Sequence, residues 1–246
     1  MPARFEVKEG AQKVDSLQPR SIQQIRQMAE VDLMSFQELE EKKIINPGTQ
    51  NKAFLNTFRE LRTKMIQSSL KKNFVAMVSS VVHGGGATFV GVNLAAAFAL
   101  DQSKTALIID CNLYDPTLDK IFNLSPEYGL TDYLEDPTLS VDDIIYASGI
   151  QRLRVVPAGS FREAGAEYFS SERMSNFIDA VKERYPDRFI FIDSPPVGLS
   201  AEGRIVAELS DYAIIVAPYG KVTVPQIQAS IDAVGKEKVS GLIFNN

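Results

Sequence analysis

"VSSVVHGGGATFVGVNLAAAFAL", residues 78–100, decides the fold. A short apolar run with strand character meets three consecutive glycines, Gly84, Gly85 and Gly86, and then becomes an Ala- and Val-rich helical run. Glycine lets the backbone turn sharply and approach a ligand closely. The start of the following helix offers unpaired N–H groups and the positive end of a dipole to an anion. Strand, glycine turn and helix in this order read as a phosphate-binding loop made of Gly84, Gly85, Gly86, Ala87, Thr88 and Phe89. A dinucleotide-binding turn would need glycine at position 89, where this chain has Phe89. The loop departs from its type at the lysine: Ala87 stands where a lysine normally does. The plainer reading is a tight β-to-α turn with no ligand.

Outward from the loop, strands and helices alternate. Strands are expected at 74–80, 105–110, 153–157, 189–193, 212–217 and 239–244. Helices are expected at 87–100, 141–147, 171–185, 201–209 and 225–234. Strands such as "TALIID", "RFIFID", "YAIIVA" and "GLIF" are apolar along their length. Such strands are covered on both faces, as in a parallel sheet. The expected class is therefore α/β, a three-layer, mostly parallel sheet with helices on both faces, similar to P-loop nucleotide hydrolases.

Ahead of this unit, residues 1–20 are polar and aperiodic and read as a flexible arm. Short helices are expected at 21–29 and 35–44, the second opened by a Ser35/Glu38 capping box. After the "INPG" break, Phe54, Phe58, Leu61 and Met65 recur at helical spacing, so 51–69 reads as an amphipathic helix. Arg59 and Arg62 fall on a different face from that stripe. The organisation is an arm with short helices over 1–46 and an α/β domain over 47–246.

Composition narrows the function. The 246 residues are 45% hydrophobic and carry a net charge of −5, which argues against nucleic acid as the main partner. One cysteine, Cys111, excludes an internal disulfide and a cysteine-rich zinc site; one histidine, His83, argues against a His-based metal site. Cys111 reads as a small packed side chain. No apolar run is long enough to span a membrane, and the N-terminus lacks the apolar stretch of a secretion signal. A cytoplasmic chain is expected, meeting a membrane through a partner.

Two acids stand at strand ends: Asp110 with Asn112 in "ALIIDCNLYDPTL", and Asp193 in "FIFIDSPPV". In open α/β sheets, ligands bind outside the carboxyl ends of the strands. Asp110, Asn112 and Asp193, with the Thr88 hydroxyl, are candidates for holding Mg²⁺ near phosphates, directly or through water. Asp110 and Asp193 are also the candidate catalytic acids. Acids at strand ends are equally common as caps and turn residues.

The order of these motifs resembles the bacterial tyrosine kinases, cytoplasmic partners of membrane chain-length regulators in exopolysaccharide and capsule synthesis. The resemblance covers residues 47–246. "FRELRTKM" (58–65) is similar to the family's arginine-bearing helix, which implies ring assembly through Arg59 and Arg62. The glycine loop is similar to its Walker A, "ALIIDCNLYDPTL" to its Asp-containing second motif, "VVPAG" (155–159) to the strand before its variable loop, and "FIFIDSPPV" to its Walker B. The resemblance implies ATP or ADP with Mg as ligand, a polysaccharide co-polymerase as partner, and a homo-oligomer.

The departures shape the expectation. Ala87 replaces the loop lysine, Asn112 the second acid of an Asp-x-Asp pair, and Asn56 the acid expected three residues before Arg59. No tyrosine follows Tyr219, whereas family members usually carry a tyrosine-rich tail. A charge-assisted hydrogen bond contributes ~1.5–3 kcal/mol. Its loss weakens nucleotide binding roughly ten- to a hundredfold, and phosphoryl transfer more, since transfer relies on positioning and electrostatics. The expectation is a kinase-like P-loop protein with weak nucleotide binding and impaired catalysis. Two alternatives stay open: a working kinase or ATPase using Lys120 or Lys221 instead, and a nucleotide-independent scaffold.

Overall fold

The computed structural model describes residues 33–70, 72–160, 165–184 and 187–246. The arm at 1–20 and the helix expected at 21–29 lie outside the described residues. The described chain runs α1 (Phe36–Glu41), α2 (Lys52–Ser68), β1 (Val75–Ser80), α3 (Ala87–Ala99), β2 (Thr105–Asp110), α4 (Leu118–Ile121) and α5 (Leu130–Glu135). It continues with β3 (Tyr146–Ala147), β4 (Leu153–Val156), α6 (Gly165–Phe169), α7 (Glu172–Glu183), β5 (Arg188–Ser194), α8 (Ala201–Glu208), β6 (Tyr212–Pro218), α9 (Val224–Val234) and β7 (Val239–Asn245).

The seven strands form one sheet in the order β3-β4-β2-β5-β1-β6-β7. All neighbouring pairs are parallel except β3 with β4. β1 and β5 lie inside the sheet, which is why each is buried at every position. Their alternating side chains feed two cores. On one face Phe74, Phe189 and Phe191 meet Phe98 of α3, edge-on or tilted, with ring centroids 4.6–5.7 Å apart. Leu55, Phe58 and Met65 of α2 belong to this core. On the other face Met77, Ile190 and Ile192 pack with Phe177 and Val181 of α7 and Val206 of α8. Each such side chain contributes roughly 1.5–3 kcal/mol on burial.

Local chemistry sets the ends. Ser35 and Glu38 form the capping box of α1, and the Asn51 side chain accepts from Phe54 N–H at the start of α2. Both satisfy otherwise orphaned N–H groups. Leu39, Ile44 and Ile45 bury themselves in the same core as α3, so the α1 region is packed against the sheet unit.

One expected element is corrected. Residues 141–147 are not a continuous helix: Val141–Ile144 is a single 3-10 turn, and Tyr146–Ala147 pairs antiparallel with β4. The apolar positions Val141, Ile144 and Ile145 mimic a helical stripe, but the edge of β4 offers Tyr146 and Ala147 ladder hydrogen bonds that a short helix lacks. The short α4, α5 and α6 were not expected at all.

Candidate functional site

The candidate site sits at the carboxyl ends of β1, β2 and β5, where the sheet brings together the glycine loop, Thr88, Asp110, Asn112 and Asp193. β1 leaves the sheet at Ser80, and Val81 N–H still donates to Val216 O of β6 (2.9 Å). Gly84 (φ 66°) and Gly86 (φ 93°) take left-handed backbone conformations open to glycine with little strain. A Cβ on Gly85 would lie 2.8 Å from Ser80 Cβ, so this third glycine answers a close approach. The loop is further held by Asn245 Nδ2, at the end of β7, donating to Gly85 O (3.2 Å). Against the phosphate-loop pattern G-x-x-x-x-G-K-[ST], Val81 occupies the first glycine position, Gly86 the second, Ala87 the lysine and Thr88 the hydroxyl.

α3 then starts at Ala87, and no side chain caps its N-terminus. Its first N–H groups are therefore offered to whatever occupies the loop. Phe89 follows the cradle and lines the cavity beside it. Its ring stacks at 28° on Phe54 of α2, with centroids 6.0 Å apart, and so ties the loop's helix to the N-terminal region.

The two acids lie side by side, Asp110 and Asp193 being register partners on β2 and β5. Their environments differ. Asp110 accepts three backbone N–H groups, from Asn112 through Oδ1 and from Thr117 and Leu118 through Oδ2, each at 3.1 Å. Its carboxyl thus organises the turn from β2 to α4. Asp193 accepts the Thr88 hydroxyl on Oδ2 at 2.6 Å, while its Oδ1 is buried without a partner. Burial pushes the Asp110 carboxyl up to about 7, against the pull of its three N–H donors. Burial also pushes Asp193 well up, and the neighbouring Asp110 charge adds to it. Two carboxylates taken out of water side by side disfavour double ionisation. Cys111, between Asp110 and Asn112, is fully buried, and burial raises its thiol well above the ordinary value.

A cavity of about 610 Å³ opens beside the loop. Gly84, Gly85, Gly86, Ala87 and Thr88 line it, with Asn112 from beyond β2 and Ser194 from the end of β5. Asn112 Nδ2 donates to Asp115 O (3.3 Å), which leaves its buried Oδ1 without a partner. Thr88 and Asn112, which line the cavity, and Asp193, bonded to Thr88, are the candidate oxygen donor set. Such a set suits a hard cation that shares its remaining positions with water and phosphate. Among the described residues, no group of three or more His, Cys, Asp or Glu converges as a metal site of its own.

Of the lysines read from the sequence, Lys120 lines the cavity and Lys221 does not. A further lysine does: Lys42, from the end of α1. No spacing rule pointed to it, since its segment reaches the loop's helix only through contacts with Asn93, about fifty residues on. Arg59 and Arg62 separate. Arg59 is exposed on α2. Arg62 is half-buried and donates to Ala97 O (2.8 Å), near the end of α3, so it serves the fold as well as any surface.

No family model matches the chain. It is 30% identical over 191 residues to the tyrosine-protein kinase YwqD of Bacillus subtilis, covering 76% of this chain and 79% of that one. It is 27% identical over 196 residues to the tyrosine-protein kinase Ptk of Acinetobacter johnsonii, matching 78% of this chain but only 26% of that one. The chain thus spans about a quarter of one relative and most of the other. Its fold superimposes on the kinase domain of the Escherichia coli tyrosine kinase ETK with a TM-score of 0.73, at 20% identity, covering 94% of this chain and 95% of that one. Loop, strand-end acids, sheet order and sequence agree: the chain belongs to the bacterial tyrosine-protein kinase family.

Proposed function

We propose that this chain is a kinase-like P-loop protein of exopolysaccharide or capsule synthesis or export that binds ATP or ADP with Mg weakly and is impaired in phosphoryl transfer. It acts as a regulatory partner of a membrane chain-length regulator, at the inner face of the cell membrane. Among the described residues no helix is long and apolar enough to cross a membrane, which suits attachment through such a partner. One observation carries the reading: the loop, its Thr88–Asp193 bond and the strand-end acids keep their frame, while Ala87 and Asn112 replace the charges that the chemistry uses.

When bound, Mg²⁺ would neutralise phosphate charge and orient the transferred group. Thr88 and Asp193 would hold it, directly or through water, with Asn112 facing the same space. The backbone N–H groups of residues 84–88 would cradle the phosphates. Asp110 shapes the turn beside them. Nothing in the loop itself supplies a cation where charge shifts during transfer, and transfer suffers from this more than binding does.

Titration calorimetry with Mg-ADP and Mg-ATP tests the reading. Saturable binding is expected, dependent on Mg and weakened in Thr88→Val. Absence of any heat of binding at millimolar nucleotide would remove the nucleotide from the proposal and favour a scaffold.

Assembly is proposed to involve α2, and its two arginines are expected to behave differently. Arg59→Ala should lower the mass seen by light scattering without changing the thermal midpoint. Arg62→Ala should lower the midpoint as well, because the Ala97 carbonyl loses a charged donor whose bond contributes about 1.5–3 kcal/mol. An unchanged mass in both variants, from a wild type that is already monomeric, would remove ring assembly.

A further inference from the structure

The loop lacks its lysine, yet two lysines from elsewhere in the chain face the same cavity. We propose that Lys42, at the C-terminal cap of α1, and Lys120, in α4, supply the positive charge to bound phosphates that Ala87 does not. This rests on the reading of the cavity as a nucleotide site, and it goes beyond that reading by naming the cations.

The backbone that carries Lys42 is fixed at every step. Lys42 N–H donates to Glu38 O (3.0 Å), Lys43 N–H to Glu40 O (2.9 Å) and Ile44 N–H to Leu39 O (2.7 Å). Ile45 N–H donates to Asn93 Oδ1 (2.9 Å), a buried side chain of α3. Asn93 Nδ2 in turn donates to Lys43 O (3.1 Å) and Phe89 O (3.0 Å). One side chain therefore clamps the α1 exit to the helix that starts in the phosphate loop. Ile44 and Ile45 are buried on either side of this clamp. Lys43 takes a left-handed turn (φ 56°) that makes room for it.

With the backbone held, only the torsions of the Lys42 side chain remain to be ordered when it meets an anion, so less entropy opposes the contact. Its ammonium group now rests on Asn123 Oδ1 at 3.1 Å, a neutral acceptor just beyond α4. A neutral acceptor at an exposed position holds a lysine weakly compared with a phosphate, because charge on the acceptor roughly doubles a hydrogen bond's strength. The same contact brings Lys42 to the segment that carries Lys120, so both cations approach the cavity from one side. Lys120 is exposed, and α4 is placed by the two N–H bonds, from Thr117 and Leu118, that Asp110 accepts at its start.

Neither lysine rises from the loop's own backbone, as the usual one does. They are suited to holding phosphate in the ground state rather than to following charge through transfer. This fits weak binding together with impaired chemistry.

The test is calorimetric titration of the full chain with Mg-ATP, Mg-ADP and AMP. The variants are Lys42→Ala, Lys120→Ala, the pair, and Asn123→Ala. Each lysine variant should weaken Mg-ATP about three- to tenfold, a range between exposed and well-formed charge pairs. The loss should shrink from ATP to ADP and vanish for AMP. Asn123→Ala frees Lys42 without removing its charge and should leave Mg-ATP affinity unchanged or tighter. Wild-type affinity in the paired variant would overturn the inference and leave the nucleotide reading standing. Equal loss for all three nucleotides, or the same loss in Asn123→Ala, would show a structural role for Lys42 and also overturn it. Failure of the wild type to bind Mg-ATP or Mg-ADP would remove both.

Discussion

The variant Ala87→Lys with Asn112→Asp should bind Mg-ATP about ten- to a hundredfold more tightly than the wild type, from the restored lysine alone at ~1.5–3 kcal/mol. The geometry favours this. Ala87 is the first residue of α3 and lines the cavity, so a lysine there would rise directly from the loop. Gly84 and Gly86 keep the backbone conformations the cradle needs, and Phe89 stacks on Phe54. Asn112→Asp adds a carboxylate where a buried oxygen already lacks a partner. The double variant also bears on Lys42 and Lys120: with a lysine back in the loop, their removal should matter less. Comparison of the two titrations checks the expectation. Equal affinities would mean that residues 84–88 no longer form a phosphate cradle, and the scaffold reading would lead.

The second large effect is in stability. In Mg-free buffer, the thermal midpoint of Asp193→Asn relative to wild type should rise between pH 5 and pH 8. The sign follows from the carboxyl pair. Both groups are raised above their ordinary value by burial, Asp110 to about 7. Between about pH 4 and about 7 the folded chain therefore keeps protons that the unfolded chain has released. Where the folded state binds more protons, stability falls as pH rises. Asparagine at 193 carries no charge, so it removes that decline from one partner. Its amide oxygen can accept the Thr88 hydroxyl that Asp193 Oδ2 accepts. Any cost of an ill-placed amide N–H is the same at both pH values and cancels in the comparison. Differential scanning across pH reads the effect directly; a constant offset between the two proteins would show that the pair is not strained at neutral pH.

Much of this was legible in the chain. The apolar strands, the glycine turn and the cap at Ser35 act over a few residues, and local patterns report local forces. β1, β2, β5 and β6 fell where their fully apolar runs put them. The misses share a cause. Tyr146 and Ala147 are a strand only because β4 presents an edge to them. α5 starts at Gly129, whose N–H is capped by Asp132 Oδ2 (2.9 Å); six residues are too few to show a helical period. Arg62 looks like any charged helix position until α3 brings a carbonyl to it. Lys42 enters the cavity because Asn93 holds its segment across the helix, a contact between residues about fifty apart that no spacing rule foretells. What the sequence did expose was the absence at Ala87, because a motif with a fixed place for lysine makes its loss visible.

The central claim, a retained nucleotide frame with lost phosphoryl transfer, is tested most directly by quantitative phosphotyrosine mass spectrometry of the chain after incubation with Mg-ATP. Asp193→Ala treated in parallel is the control. The account predicts no phosphotyrosine above that control on any tyrosine. Phosphotyrosine on the wild type that is absent from the Asp193→Ala chain would contradict it, and would make this a working kinase despite Ala87.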